Sequence, residues 1–229
     1  MCGRFTLRTP LSVLAKQFEF DVETATAEVR PRYNIAPTQA ILAVRQIEQG
    51  AKCELARLFW GLVPSWAKDS KGAYACINAR ADSVATKPTF RSVFKKRRCL
   101  VLADGYYEWR KEGKIKQPYF FEVDGGQPFA FAGLWEWWRS PQDKDGPGLE
   151  SCALITTDPN ELQSTLHDRM PVILNPARYD AWLDPANDNR DQLQVMLIPF
   201  SSERMTVRPV SRHVSNARNE GPECLKSPG

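Results

Sequence analysis

Five consecutive apolar residues, Cys99-Leu100-Val101-Leu102-Ala103, constrain this chain most. The run is too short for a buried helix and ends at Asp104-Gly105, so it predicts a buried central strand. Such a strand needs neighbours, and the sequence supplies them. Ala40 to Val44, Leu55 to Leu62, Tyr119 to Val123, Phe129 to Leu134, Cys152 to Thr156 and Met205 to Ser211 all read as strands. Lys111-Glu112-Gly113-Lys114 and Asp124-Gly125-Gly126 read as turns joining a meander. Helices are few and short. Thr9-Pro10 opens one, with Thr9 as its cap, and Leu11, Leu14, Ala15 and Phe18 recur at helical spacing. Others are expected over Thr89 to Arg97, after Asn160, from Asn175-Pro176 through Trp182, and over 188–196.

The central run delivers Tyr106-Tyr107-Glu108-Trp109, a carboxylate among aromatics at a strand end, which suits acid/base work. An exposed Glu on an alternating strand is the plainer alternative. The second notable position is Cys2, directly behind Met1. A small second residue favours methionine removal, which would leave an amine and a thiol on adjacent carbons. That pair condenses with aldehydes, first as an imine and then as a five-membered thiazolidine. The plainer alternative is a small hydrophobe near a terminus.

Other candidates lie on loops. Tyr33 to Thr38 is either a rigid connector or the wall of a site, with Pro37 and Thr38 at its end. Trp60 suits the core, whereas Trp66 lies in a polar stretch and is a candidate platform for an unpaired base. Asn78 and Arg80 offer an amide and a planar cation. The basic run Arg91 to Arg97 is either a phosphate track or a solvated helix face. His167, between Leu166 and Asp168-Arg169, is one of only two histidines and can move protons near neutral pH. Segments 21–32 and 139–150 read as loops.

Across 229 residues the net charge is only +4, which does not establish nucleic-acid binding but leaves room for a local basic groove, and no run approaches a membrane span. Six scattered cysteines without a secretory signal read as reduced thiols in the cytosol. Two histidines make a Cys/His zinc site poorly founded.

Seven short motifs, in order, resemble one family. They are M-C-G-R-F, Y-N-I-A-P-T, W-G-L-V-P-S-W, I-N-A-R-A, D-G-Y-Y-E-W, A-G-L-W and L-H-D-R-M-P. They are similar to the signatures of the SOS response-associated peptidase domain, whose members include abasic-site DNA crosslinking proteins. The resemblance implies an α+β fold: one domain over 1–215, a bent, partly closed antiparallel β-barrel with flanking helices. A polar tail, loosely held, is expected over 216–229. It also implies capture of the ring-opened abasic-site aldehyde in single-stranded DNA, with a single-strand/double-strand junction as a further candidate form. Cys2 would be the nucleophile, Asn78 the orienting amide, Glu108 the proton-transfer group and His167 the group that opens the sugar. Arg4, Arg80 and Arg169 would meet phosphates, Trp66 and Trp109 the flanking bases, and Pro37 and Thr38 would line the site. No cofactor, metal or membrane is implied, and the expected form is a cytoplasmic monomer, nucleoid-associated if bacterial. Departures at Asp82 and Tyr106 are expected to lie outside the chemistry, and Leu102 and the 139–150 loop to be local variation.

Competing readings are an N-terminal-nucleophile, self-processing peptidase using Cys2, Glu108 and His167, a non-covalent reader of modified single-stranded DNA, and a thiol redox sensor. The last would want a second cysteine near Cys2 in sequence, and there is none.

Overall fold

The apolar runs pair into two sheets in the computed structural model, which describes residues 2–22, 29–143 and 145–228. In chain order the elements are β1 (Phe5–Leu7), α1 (Leu11–Phe18), β2 (Arg32–Ile35), β3 (Ala40–Arg45), β4 (Glu54–Trp60), β5 (Asn78–Arg80), α2 (Arg91–Lys96) and β6 (Arg98–Ala103). There follow β7 (Gly105–Glu112), β8 (Ile115–Val123), β9 (Phe129–Trp138), β10 (Leu149–Thr157), α3 (Glu161–Ser164), β11 (Met170–Pro171), α4 (Tyr179–Leu183), α5 (Arg190–Gln194) and β12 (Met205–Pro209). The expected loop over 21–32 is a strand from Arg32 onward, and its residues 23–28 lie outside the described residues.

The larger sheet runs β11-β10-β4-β3-β6-β9, and β9 pairs back onto β10, so the sheet is partly closed. β6 is buried along its whole length between β3 and β9, as its unbroken apolar run demands. One strand departs from the antiparallel expectation: β10 runs parallel to both β4 and β5. The smaller sheet, β12-β8-β7-β1-β2, is antiparallel throughout.

Aromatic packing joins the two sheets. Phe5 of β1 reaches Trp60 of β4 and Phe131 of β9, with ring centroids 5.1 and 5.8 Å apart. Tyr106 stacks on Phe121 at 4.7 Å on the same inner face. Phe5 is fully buried, and truncating such a ring to alanine costs about 3–5 kcal/mol. Gly105, which opens β7, is required by close approach. A Cβ there would lie 2.1 Å from Cζ of Phe120.

The start of the chain is pinned by Asp104. Its carboxylate accepts from the hydroxyls of Thr6 (2.6 Å) and Thr9 (2.9 Å), the Thr9 N–H (2.8 Å), the Arg8 Nε–H (3.0 Å) and the Arg8 N–H. Thr9 therefore does not cap α1, since its hydroxyl is committed to Asp104 and no side chain caps that helix.

The expected loose tail is docked. The outer face of the smaller sheet presents Tyr107 and Phe120, and Val210, Val214 and Cys224 cover them. The Asn34 amide donates to the carbonyls of Asn216 and Asn219 at 3.0 and 2.8 Å, and Arg32 pairs with Glu220. Ser211 N–H closes the segment onto the Lys226 carbonyl at 2.7 Å. Polar composition hid this because few apolar anchors suffice when backbone groups supply the rest. Among the described residues, no helix is long and apolar enough to cross a membrane.

Candidate functional site

Cys2 stands just before β1 and is fully buried. Phe5 pairs with Tyr106 across β1 and β7, and Tyr107 N–H donates to the Arg4 carbonyl at 2.9 Å. Continued by two residues, that register sets Glu108 opposite Gly3 and beside Cys2. Glu108 is 5 % exposed, so it is not the solvated alternative. Asn78, the first residue of β5, donates Nδ2–H to the Cys2 carbonyl at 3.0 Å. Its Oδ1 is buried with no hydrogen-bond partner among the described residues.

Electrostatics follow from this enclosure. Burial pushes the Cys2 thiol up to about 12, and the negative charge of Glu108 adds to the effect. The Tyr106 phenol is pushed well up by burial, then by Cys2 and Glu108. Thiol, phenol and carboxylate therefore lie close together in the buried interior. The thiol rests there protonated at neutral pH, and its use as a nucleophile needs a proton acceptor nearby.

His167 follows α3. Its N–H donates to the Gln163 carbonyl at 3.0 Å. Its Nδ1 lies 3.1 Å from the Arg169 N–H and 2.7 Å from Asp168 Oδ1. These partners ask for opposite states. A neutral ring accepts from Arg169, whereas a ring protonated on Nδ1 donates to Asp168. The arrangement suits a group that gains and loses a proton.

The cations expected to meet phosphates differ in their surroundings. Arg80 is exposed and forks onto Asp82 Oδ2 at 3.1 and 2.8 Å. Arg169 is buried, donating to Asp158 Oδ1 at 2.6 Å and to the Thr156 carbonyl at 2.7 Å, with Asp82 4.0 Å away. Both stand at the same end of β10, where Arg80 pairs with Thr156. Arg4 turns to the other side. It donates to Asn34 Oδ1 at 2.7 Å and to the Val214 carbonyl at 2.8 Å, and lies 5.6 Å over the Trp109 ring. Burial lowers the Arg4 pKa from its usual value.

Known proteins resemble this chain in sequence and fold. Residues 1–217 match the family described as SOS response associated peptidase (SRAP). The chain belongs to this family. It is 42 % identical over 228 residues to the abasic site processing protein YoqW of Bacillus subtilis, covering 99 % of this chain and 100 % of that one. It is 30 % identical over 233 residues to the abasic site processing protein YedK of Escherichia coli, covering 99 % of each. A crystal structure of a Bacteroides thetaiotaomicron protein superposes with a TM-score of 0.85 at 26 % identity, covering 99 % of both chains.

On this SRAP chain the fold brings Cys2, Asn78 and Glu108 together and sets Arg80 and Arg169 at one strand end. The flanking aromatics differ. Trp66 is 67 % exposed and makes no hydrogen bond or ring contact among the described residues. Trp109 is half-buried, with Nε1–H donating to Ser215 Oγ at 3.2 Å. Pro37 and Thr38 precede β3. Thr38 N–H donates to the Trp60 carbonyl at 2.8 Å, with φ at 70°, a left-handed conformation that is costly for a β-branched residue.

Two residues escaped the sequence reading. Asp104 sat within a recognised motif, yet its role in holding β1 is not encoded in spacing. Gln163, fully buried, left no signal in a four-residue helix. Tyr106, expected to lie outside the chemistry, is fully buried near Cys2 and Glu108. Asp82 likewise grips Arg80 directly.

Proposed function

We propose that this protein captures abasic sites in single-stranded DNA as a thiazolidine on Cys2. The observation that carries this reading is the enclosure of Cys2 by the Asn78 amide and the Glu108 carboxylate. The relatives' names, abasic site processing protein, agree with it. Met1 is first removed. The freed α-amine then adds to the aldehyde carbon of the ring-opened deoxyribose, and water leaves as the imine forms. The Cys2 sulfur next adds to the imine carbon, and its proton ends on the ring nitrogen. The sum is aldehyde plus aminothiol giving thiazolidine plus one water.

The roles follow from placement. Asn78 orients the terminal residue through its carbonyl. Glu108 takes the thiol proton and delivers protons to the departing oxygen. His167, able to hold or release a proton, assists ring opening of the sugar. Arg80 meets a phosphate by exchanging Asp82 for it, and Arg169 organises the same strand end. Trp66 stacks on an unpaired base.

The test is a denaturing gel with intact-mass analysis. Wild type and Cys2→Ala are each incubated with a single-stranded oligonucleotide carrying one abasic site. Wild type alone should give an adduct, at the mass of the Met1-less chain plus DNA minus one water. No adduct from a protein shown to lack Met1 overturns the reading.

A further inference from the structure

Gln163 is fully buried and engages each of its polar atoms. Its Oε1 accepts the Tyr106 hydroxyl at 2.9 Å, and its Nε2 donates to the Arg169 carbonyl at 3.2 Å. Its N–H donates to Asn160 Oδ1 at 2.8 Å. Its carbonyl accepts from Leu166 and His167 at 2.9 and 3.0 Å. Arg169 N–H, whose residue Gln163 holds by the carbonyl, in turn reaches His167 Nδ1 at 3.1 Å. Gln163 thus holds the His167 backbone directly and, through Arg169, one of the two groups at its ring Nδ1, the other being Asp168.

The other end of this chain of contacts is rigid. Tyr106 is fully buried, stacked on Phe121 and edge-on to Phe131 at 6.0 Å. It lies two residues before Glu108 on β7, hence on the same face of the sheet. A buried hydrogen-bonded pair contributes little net stability over an apolar pair of the same shape, because both partners lose water. What such a pair does supply is a fixed distance and direction between two elements.

We propose that the Tyr106–Gln163 hydrogen bond is a positioning device that sets the His167 loop in register with the strand carrying Glu108. Tyr106 and Gln163 act through His167 and do not themselves touch the reacting atoms. The inference rests on the crosslinking reading for its kinetic consequence, but the coupling itself is a property of the folded chain.

The experiment uses Tyr106→Phe, which removes one oxygen and keeps the ring stack, and Gln163→Met as a second variant. Crosslinking rates are measured for wild type, Tyr106→Phe, His167→Ala and the double variant. Tyr106→Phe should slow crosslinking about fivefold to tenfold when His167 is present and add nothing in the His167→Ala background, the non-additivity expected of coupled residues. An equal loss in both backgrounds, or none in either, overturns the proposal. A second readout is independent of crosslinking. The nitrogen resonances of the His167 ring report its tautomer, and with two histidines the assignment is direct. In Tyr106→Phe and Gln163→Met the His167 signals should move while those of His213 stay. Unmoved His167 signals overturn the proposal. If wild type forms no adduct, the function is refuted, and the ring signals still decide the coupling.

Discussion

Asn78 and Cys2, 76 residues apart in sequence, are joined by one hydrogen bond of 3.0 Å from an amide to a main-chain carbonyl. The bond ties β5, at the parallel edge of the larger sheet, to the start of β1 in the smaller one. Under the proposed chemistry it acts on the residue whose amine and thiol both react. Asn78→Ala should slow crosslinking about tenfold, the equivalent of about 1.4 kcal/mol, which is the scale of one hydrogen bond. The melting temperature should move by only a few degrees. Stopped time courses on an abasic oligonucleotide check the rate, and an unaltered rate removes Asn78 from the orienting role.

Glu108 carries the proton traffic in this scheme. Glu108→Gln should slow adduct formation by roughly a hundredfold or more, the usual scale of general acid–base catalysis. Single-strand affinity should stay within about twofold. The same change removes a negative charge from beside Cys2, so the thiol should titrate lower than about 12. Alkylation rates across alkaline pH would report that direction.

Under the proposed reading, Arg80 and Asp82, which form an ion pair, act in opposition on DNA affinity. Arg80→Ala should weaken single-strand binding and reduce the salt dependence by about 0.7 of an ion. Asp82→Asn should do the reverse, since it releases the guanidinium that the carboxylate now holds. Binding isotherms at several salt concentrations decide. Identical slopes in all three proteins would mean that Arg80 meets no phosphate.

Much of the architecture was legible because apolar runs of strand length have few alternatives. β6, β9 and β10 were readable from Leu100, Phe131 and Leu154 and their neighbours, and both turns from their glycines. β5 was not, since three residues with polar Asn78 and Arg80 carry no period. Its partner is a parallel strand more than 70 residues away. The docked segment after Ser215 was missed because Val214 and Cys224 are too sparse to form a pattern. Within the site, residue types pointed to Cys2, Glu108 and His167, but no spacing rule brought them together. Long-range strand pairing set Glu108 beside Cys2, and His167 stands on the separate segment after α3. Gln163 was invisible because a buried glutamine announces itself only through its partners.

Asp104 offers a test of how the terminus is held. Asp104→Asn removes an acceptor serving Thr6, Arg8 and Thr9 and leaves donors in a buried setting. A loss of about 2–4 kcal/mol in unfolding free energy is expected, from the lost charged hydrogen bonds. Urea titrations measure it. A change below about 0.5 kcal/mol would mean the network is replaceable.

The buried thiols should make the fold sensitive to alkali. Cys2 and Cys99 are each pushed by burial from 9.0 up to about 12. Between those values the unfolded chain has lost protons that the folded chain keeps, so stability falls as pH rises through that window. Each thiol contributes about 1.4 kcal/mol per pH unit. Denaturation under reducing conditions at pH 8, 9.5 and 11 should show the decline. Cys99→Ala should remove one thiol's share, and an unchanged slope would contradict the assignment.

The complete burial of Cys2 also sets a timetable. Under the proposed chemistry Met1 must leave, yet the residue behind it ends in a closed pocket walled by β7. Those strand residues are made about a hundred positions later. At roughly 5–20 residues per second, a ribosome leaves a window of about 5–20 s in which the terminus can pair with β2 but still lacks β7 and Glu108. A trimming peptidase would act in that interval on an extended chain. Overexpression that outruns it would trap a folded, unreactive population that still bears Met1. Yield of active protein would then depend on translation speed as much as on stability.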